Sequence, residues 1–220
     1  MPSYIRMELE VPYLKNIGKE TLIKEISVVL NKVERHDVQN MPWPEFSYKP
    51  RVSFSIAYAE NAILLKYFVQ ENSIRILYQI DNSPVHQDSC VEFFIAFDDE
   101  EEYYNLEFNC TGTCLFGFGK SKTARQLIRE LVINKIRRLG VIESSREGER
   151  NLIDWELTLV IPLEVFIYHE ITHLKDRYCK VNFYKCGDKL PEPHFLAWKS
   201  VEAASPDFHL PEFFGRMHFI

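Results

Sequence analysis

The sequence has 220 residues, of which 46% are hydrophobic and 26% are charged, as in an ordinary globular domain. The net charge of −6 argues against nucleic acid or an anionic membrane as the main partner, because both bind basic surfaces. No run approaches the ~18 apolar residues of a spanning helix, and the N-terminus lacks a secretory pattern, so we expect a cytoplasmic protein.

The first fifty residues predict one helix and an extended crossing. Apolar residues recur at helical spacing from Leu22 to Val33, which predicts a short amphipathic helix over residues 21–33. Three prolines in residues 41–50 exclude a helix or a central strand, so this segment is expected to cross the surface. Residues 1–50 are therefore interpreted as the N-terminal part of a single domain over residues 1–220.

From residue 51 onward the hydrophobic period changes to two, which is typical of strands. Turn residues such as Glu60 and Asn61 separate the alternating segments. Short connections between successive strands indicate antiparallel meanders, and hence a sandwich or barrel. The predicted strands cover residues 52–58, 62–70, 73–80, 89–97, 103–110 and 113–118.

Residues 123–139 interrupt this alternation. Leu127 and Leu131 lie at helical spacing, so a helix is predicted over residues 123–136, with the basic residues between Lys120 and Arg138 on its solvated face. A polar loop is predicted over residues 144–150.

The last part of the chain returns to strands. Alternation from Ile153 to Ile161 predicts a half-buried strand that ends at Pro162, with a short helix over residues 163–168. The predicted fold class is all-β, an antiparallel β-sandwich with a few short peripheral helices. Further strands are predicted at residues 179–186, 194–200 and 215–220.

Five cysteines are an odd number for a disulfide framework. Cys110 and Cys114 also have the wrong spacing for a C-x-x-C redox or zinc pair. Buried free thiols are therefore expected, since free Cys behaves as a small apolar residue inside strands.

One predicted strand carries a row of polar side chains. Tyr103, Asn105 and Glu107 share a face of residues 103–110, because successive side chains of a strand alternate. Amides and carboxylates beside an aromatic ring suit sugar hydroxyls, which need donors and acceptors together with a flat apolar patch. A solvated outer face would show the same alternation, so both interpretations stay open.

Glu92 lies in the middle of a strongly apolar predicted strand. An acid rarely stays inside such a strand unless it has a partner or a task. Glu92 is therefore either a functional residue or half of a structural ion pair.

Several of these segments, in this order and spacing, resemble a known family. They are Asp88-Ser-Cys-Val-Glu92, Tyr104-Asn-Leu-Glu-Phe-Asn with Gly112, Trp155-Glu-Leu-Thr-Leu-Val-Ile-Pro162, Asn182, Trp198 and Phe214-Gly215. Together they resemble the family 9 carbohydrate-binding modules and their relatives among bacterial xylanase-associated proteins, over residues 54–220.

The resemblance implies a β-sandwich in which a sugar lies between two aromatic rings. It also implies that a Glu and amide or Arg side chains from neighbouring strands hydrogen-bond the sugar. Glu92 would be this glutamate. The ring positions fall at His86 and Phe208, where better-known members carry Trp, so the clamp implied here is smaller.

The remaining implied positions are Asn105 and Glu107 on one strand and Tyr184 on a later one. The function implied is the binding of a mono- or oligosaccharide by a stand-alone module, linked to polysaccharide (xylan) catabolism. The sequence does not identify a partner glycosidase. No catalytic residue, metal ligand or cofactor is expected. Bound calcium is the one alternative left open.

Two enzyme alternatives compete with binding. Glu92 and Glu107 on neighbouring strands could act as a glycosidase pair, for which retaining chemistry needs carboxyls ~5 Å apart and inverting chemistry ~6.5–9.5 Å. His169-Glu170-x-x-His173 matches a zinc-hydrolase pattern, but its surroundings favour a turn between strands over a helix. Haem binding through Met and His is a third possibility, by analogy with cytochrome relatives of the sandwich.

Residues 98–102 form an acidic run between two predicted strands. Their oxygens could coordinate calcium, which the modules that the sequence resembles do bind. A solvated charged turn is the favoured interpretation, because consecutive acids in a tight turn are not a spaced ligand set.

Overall fold

Two β-sheets pack face to face in the computed structural model, which describes residues 8–97, 101–147 and 150–220. The helices within these residues are α1 (Ile23–Leu30) and α2 (Glu130–Ile133), with 3₁₀ turns at Val85–Gln87, Leu163–Val165 and Pro211–Phe213. The strands are β1 (Leu9–Val11), β2 (His36–Asp37), β3 (Arg51–Ala59), β4 (Ala62–Glu71), β5 (Cys90–Phe97), β6 (Tyr103–Asn109), β7 (Cys114–Gly119), β8 (Arg125–Leu127), β9 (Arg137–Glu147), β10 (Arg150–Pro162), β11 (Tyr178–Cys186), β12 (Phe195–Ala197) and β13 (Gly215–Phe219).

The first sheet has the strand order β1-β13-β11-β5-β6-β7-β8, and β12 also pairs with β11. The second sheet has the order β2-β3-β4-β10-β9. All of these strand pairs are antiparallel except β1 with β13. The predicted antiparallel β-sandwich is thus confirmed.

The core fills the space between the sheets with alternate side chains of the long strands. Phe54 of the second sheet stacks on Phe183 of the first at 3.7 Å between ring centroids, and Phe93, opposite Phe183 on the neighbouring strand, stacks with it at 5.2 Å. Each such fully buried side chain stabilises the fold by about 1.5–3 kcal/mol. The period-two pattern of the sequence therefore corresponds to a real inner face.

The outer face of the first sheet is covered rather than solvated. Phe94, Tyr103 and Tyr184 form a second buried cluster with Trp43, from the proline-rich crossing, and Phe208, from the connection before β13. The Trp43 indole donates a hydrogen bond to the Ala203 carbonyl at 2.9 Å, which ties the crossing to that connection. This cover places the polar residues of the sheet in a partly enclosed space.

Helix α1 covers the outer face of the second sheet. Its buried side chains Ile26 and Leu30 pack with Leu64 and Val160 in a third cluster. The helix is shorter than the predicted span of residues 21–33, yet it uses the predicted apolar stripe. The predicted helix over residues 163–168 is reduced to the 3₁₀ turn Leu163–Val165.

The predicted strand over residues 73–80 is wrong. This segment is irregular and forms no ladder, because side chains take several of its backbone hydrogen bonds. Asp88 accepts from the backbone N–H groups of Leu77 and Tyr78 at 3.1 and 3.0 Å, and the Ser89 hydroxyl accepts from that of Arg75 at 3.2 Å. A carboxylate thus replaces a neighbouring strand.

The predicted helix over residues 123–136 is also wrong. The segment contains the edge strand β8 and one helical turn in α2, and β9 begins directly after it. Leu127 and Leu131, which lie at helical spacing, are exposed. Ile128 and Ile136 are buried in the core, so the apolar residues do not share one helical face. Strands β9 and β10 likewise replace most of the polar loop predicted over residues 144–150, of which 148–149 lie outside the described residues.

Two short strands, β1 and β2, were missed, and β12 is shorter than the predicted strand over residues 194–200. The other predicted strands agree with the structure to within about two residues at each end, except that β10 begins three residues before Ile153. All five cysteines are buried, as expected. In the part of the chain that the structure describes, no helix is long and apolar enough to cross a membrane.

Candidate functional site

Three neighbouring strands bring Tyr184, Glu92 and Glu107 into one row on the covered face of the first sheet. The register of β11 and β5 pairs Tyr184 with Glu92, and the register of β5 and β6 pairs Glu92 with Glu107. Residues that are directly opposite on antiparallel strands have Cβ atoms ~4.5–5.5 Å apart. The two carboxyl groups therefore belong to one site.

A cavity of about 60 Å³ opens beside this row. Such a volume holds roughly four water molecules, so it suits one edge of a polar ligand more than a whole one. Four of the six predicted site residues line it, namely His86, Glu92, Glu107 and Phe208. The other lining residues are Lys122, Arg125, Cys186, Asp188, Phe195, Pro206, Asp207 and His209.

Glu107 is an ionised carboxylate inside the site. Its Oε1 accepts from Arg125 Nη1 at 3.1 Å and from Asn105 Nδ2 at 2.9 Å, and its Oε2 lies 3.6 Å from His86 Nδ1. Burial alone would raise the pKa of the Glu107 carboxyl, but His86 and Arg125 outweigh burial and hold that pKa below its usual value. The same contact with Glu107 raises the pKa of His86.

Glu92 has the opposite protonation tendency. Burial and the neighbouring charge of Glu107 raise the pKa of the Glu92 carboxyl well above its usual range. Its Oε1 accepts a hydrogen bond from the Cys186 thiol at 3.1 Å. A protonated acid and an ionised carboxylate thus lie side by side, so the site offers both a donor and acceptors.

Phe208 forms part of the cavity wall, but it is not an open platform. Its ring stacks on Tyr184 with centroids 4.1 Å apart and an angle of 13° between the planes, and only 7% of the residue is exposed. The Tyr184 hydroxyl also donates to the Phe208 carbonyl at 3.1 Å. Tyr184 therefore supports the wall from below without lining the cavity.

Asn105 also stays behind the cavity, where it holds Glu107 in place. Its side-chain oxygen is buried and has no hydrogen-bond partner among the described residues. That oxygen lies against Gly117 on β7, where a Cβ atom would approach it to 2.6 Å. Glycine at this position thus allows the Asn105 side chain to lie flat across the neighbouring strand.

Arg125 and His209 were missed by the sequence analysis. Arg125 was assigned to the wet face of a helix, but it lies on the edge strand β8 and pairs with Glu107. His209 lies 3.3 Å from Arg125 Nη1 through Nε2 and 2.9 Å from the Tyr103 hydroxyl through Nδ1. Burial lowers the pKa of His209 to about 4, so the ring is neutral.

The H-E-x-x-H segment does not form the helix that a zinc-hydrolase motif requires. Residues 169–173 are irregular. His169 Nδ1 lies 2.9 Å from the Tyr104 hydroxyl, whereas His173 is exposed and its Nδ1 lies 3.1 Å from the Thr172 hydroxyl. The motif therefore lacks the common helical face that would place both imidazoles on one metal.

The acidic run at residues 98–102 falls mostly on residues 98–100, which lie outside the described residues. Glu101 is 84% exposed and its carboxylate lies 3.2 Å from Lys120 Nζ. Calcium at this turn stays a prediction.

Comparison with known proteins gives a consistent picture. A structure from Bacteroides uniformis ATCC 8492, to which carbohydrate binding has been ascribed, is 35% identical, covers 97% of this chain and 99% of its own, and superposes with a TM-score of 0.88. A family 9 carbohydrate-binding module from Caldicellulosiruptor kristjanssonii in complex with cellotriose shares the fold at 11% identity, with a TM-score of 0.55 over 96% of this chain and 93% of its own. No curated protein matched.

A second Caldicellulosiruptor kristjanssonii structure, a family 9 module in complex with glucose, shares the fold at 9% identity, with a TM-score of 0.52 over 97% of this chain and 95% of its own. The sequence model of carbohydrate-binding family 9 matches residues 23–219. This is a family of binding modules rather than of catalytic domains. The chain belongs to carbohydrate-binding family 9.

Proposed function

We propose that this chain binds a mono- or oligosaccharide at the cavity beside Glu92 and Glu107. The observation that carries the proposal is that Glu92 and Glu107, directly opposite each other on neighbouring strands, both line one cavity. A sugar hydroxyl both donates and accepts hydrogen bonds, so it can donate to Glu107 and accept from Glu92 at once. Arg125 and His86 add donors on the other side of Glu107.

The size of the cavity supports binding of one ring edge or one chain end. The cavity holds roughly four waters, which matches the space that a few sugar hydroxyl groups need. Hydroxyl groups can replace these waters and make the same hydrogen bonds to the site. Phe208 and the partly exposed His86 border the cavity and would contact the apolar face of the ring. Both Caldicellulosiruptor kristjanssonii modules hold gluco-configured ligands, which makes glucose and cello-oligosaccharides the first ligands to try.

Hydrolysis by Glu92 and Glu107 is not favoured. Their register makes them direct neighbours on adjacent strands, but a nucleophile needs a carboxylate oxygen free to attack. Glu107 Oε1 accepts from both Arg125 and Asn105, and Oε2 faces His86. These contacts hold the carboxylate for binding rather than for covalent chemistry.

Isothermal titration calorimetry with glucose, xylose and their oligosaccharides tests the proposal. The xylose series is included because a link to xylan catabolism is part of what we propose. In Glu107→Gln the affinity should fall roughly tenfold to a hundredfold, since a hydrogen bond to a charged group contributes about 1.5–3 kcal/mol. Glu101→Gln is the matched control, because Glu101 is 84% exposed and lies away from the cavity.

His86→Ala gives an independent check in case Glu107→Gln does not fold. The His86 side chain is 33% exposed, so its loss should weaken binding with little effect on folding. Binding of no saccharide by the native chain, or full affinity in both folded variants, would contradict the proposal.

A further inference from the structure

Two cysteines lie beside the carboxylate row on the same face of the sheet. Cys90 of β5 and Cys186 of β11 are directly opposite each other, and Glu92 follows Cys90 by two positions on that face. The two sulfur atoms and a Glu92 carboxylate oxygen all lie within 4.8 Å of one another. In residues 8–97, 101–147 and 150–220, this is the one group of three His, Cys, Asp or Glu side chains that could hold a metal ion.

We propose that Cys90, Cys186 and Glu92 bind a zinc ion, with the fourth coordination position open to the cavity. Zinc binds thiolate sulfur at ~2.3 Å and carboxylate oxygen at ~2.0–2.2 Å, so ligand atoms on a tetrahedral ion lie about 3.5–3.8 Å apart. The three atoms already lie within 4.8 Å of one another, and the contact between Cys186 Sγ and Glu92 Oε1 is 3.1 Å. Small side-chain rotations bring them onto one ion.

The ligand set selects for a soft divalent ion. Two thiolates suit Zn²⁺ and its spectroscopic substitute Co²⁺, whereas Ca²⁺ and Mg²⁺ require oxygen ligands. Three protein ligands and one open position facing a cavity are the arrangement of zinc sites that exchange a water or a bound group. Glu92 and Cys186 both line the cavity, so the ion would be reachable from it.

A bound zinc would displace the thiol protons of Cys90 and Cys186, because the thiolate is the ligand form of cysteine. The double charge of the ion would compensate the two buried thiolates.

Neither sulfur could be assigned from the sequence, because the two cysteines lie far apart in the chain and show no ligand spacing. Antiparallel pairing of β5 with β11 alone brings them together. The metal site shares Glu92 with the proposed saccharide site, so a bound zinc would take a Glu92 oxygen and leave Glu107 and Arg125 to contact a saccharide. The metal titration needs no saccharide, so its outcome is separate from that of the saccharide proposal.

Titration of the reduced protein with Zn²⁺ and with Co²⁺ tests the site. We expect uptake of one equivalent of either ion, thiolate-to-cobalt charge-transfer absorption, and a zinc-dependent rise in melting temperature. Cys90→Ala and Cys186→Ala should each lose the charge-transfer band and the thermal shift. Cys110→Ala is the matched control, because Cys110 is equally buried but outside the group, and it should keep both signals.

Glu92→Gln provides a second variant that retains both sulfurs. It should keep the charge-transfer band but bind Co²⁺ at least tenfold more weakly. The proposal is overturned if the reduced native protein takes up no stoichiometric metal, if Cys186→Ala retains the band, or if Cys110→Ala loses it as well.

Discussion

Lys185 and Glu71 form an ion pair inside the sandwich, with 3.0 Å between Nζ and Oε2 and neither side chain accessible to solvent. The ammonium donates its hydrogen bonds to the Cys186 carbonyl and to His194 Nε2, so its contact with Glu71 is ionic rather than a directed hydrogen bond. Glu71 Oε1 accepts from the Trp155 indole at 2.6 Å. The pair joins the two sheets next to the strand that carries Glu92.

Breaking this pair should destabilise the fold strongly. Glu71→Gln leaves the Lys185 charge buried and unpaired, so we expect the free energy of unfolding to fall by about 3–5 kcal/mol. Adding Lys185→Met removes the second charge, and the double variant should recover much of that loss. Urea denaturation of the single and double variants measures both effects.

The surface ion pair Lys135–Glu164 is the control for the Glu71 and Lys185 variants. Its atoms lie only 2.6 Å apart, but its side chains are 43% and 60% exposed. Glu164→Gln should therefore change stability by less than about 1 kcal/mol. A comparable loss in Glu164→Gln and Glu71→Gln would show that burial is not what makes the inner pair strong.

Replacement of Glu92 by Gln should alter how stability depends on pH. The raised pKa of Glu92 keeps its carboxyl group protonated in the folded protein at a pH where the same group is ionised in the unfolded chain. The unfolded state therefore binds fewer protons than the folded state. Stability of the native chain therefore falls as pH rises above ~4.3, the ordinary glutamate pKa, until Glu92 ionises in the folded state. Gln cannot ionise, so Glu92→Gln should remove this decline.

Other titratable groups near Glu92 are Glu107, Asp188 and Cys186, and Arg125 is a nearby cation. The quantity to measure is thus the difference in melting temperature between Glu92→Gln and the native chain, from pH 4 to pH 8. The melting temperature of Glu92→Gln should increase relative to that of the native chain as pH rises. A constant or falling difference would mean that Glu92 is ionised in the folded protein.

Gly117→Ala tests how closely Asn105 must approach β7. The added methyl group would lie 2.6 Å from Asn105 Oδ1 and 3.2 Å from Arg125 Cδ, so both side chains must move away from Glu107. We expect saccharide affinity to fall by about tenfold, as when one hydrogen bond to a charged group is lost, with the sandwich intact. Gly18→Ala is the control, since its Cβ would meet nothing within 4 Å. Equal saccharide affinity in Gly117→Ala and Gly18→Ala would show that Asn105 does not support the site.

The alternation of apolar and polar residues predicted the sandwich and most of its strands, because the buried faces obey a period of two. It failed at residues 73–80, where the Asp88 carboxylate takes backbone hydrogen bonds that a strand would have made. The replacement of strand pairing by a carboxylate depends on tertiary contacts, which the alternation of neighbouring residues does not show. The helical spacing also failed at residues 123–136, where an edge strand and a single helical turn leave Leu127 and Leu131 exposed.

The row of Glu92 and Glu107 was visible in the sequence as acids on strand faces, and the family resemblance placed both in one site. Their burial was not visible, because it depends on the proline-rich crossing and on the connection before β13. Arg125 was assigned to the wrong element, and His209 has no signal in a loop without periodicity. Cys90 and Cys186 meet only through strand order, which the sequence does not specify.

Four consecutive residues of the cavity lining, Pro206, Asp207, Phe208 and His209, belong to the connection that covers the first sheet and not to any strand. Loops accept substitutions and insertions that strands do not. Ligand preference within this family can therefore diverge by exchange of one short segment, while the sheet beneath it retains its acids. For protein engineering, this connection is the natural cassette to randomise when a module for a new glycan is wanted.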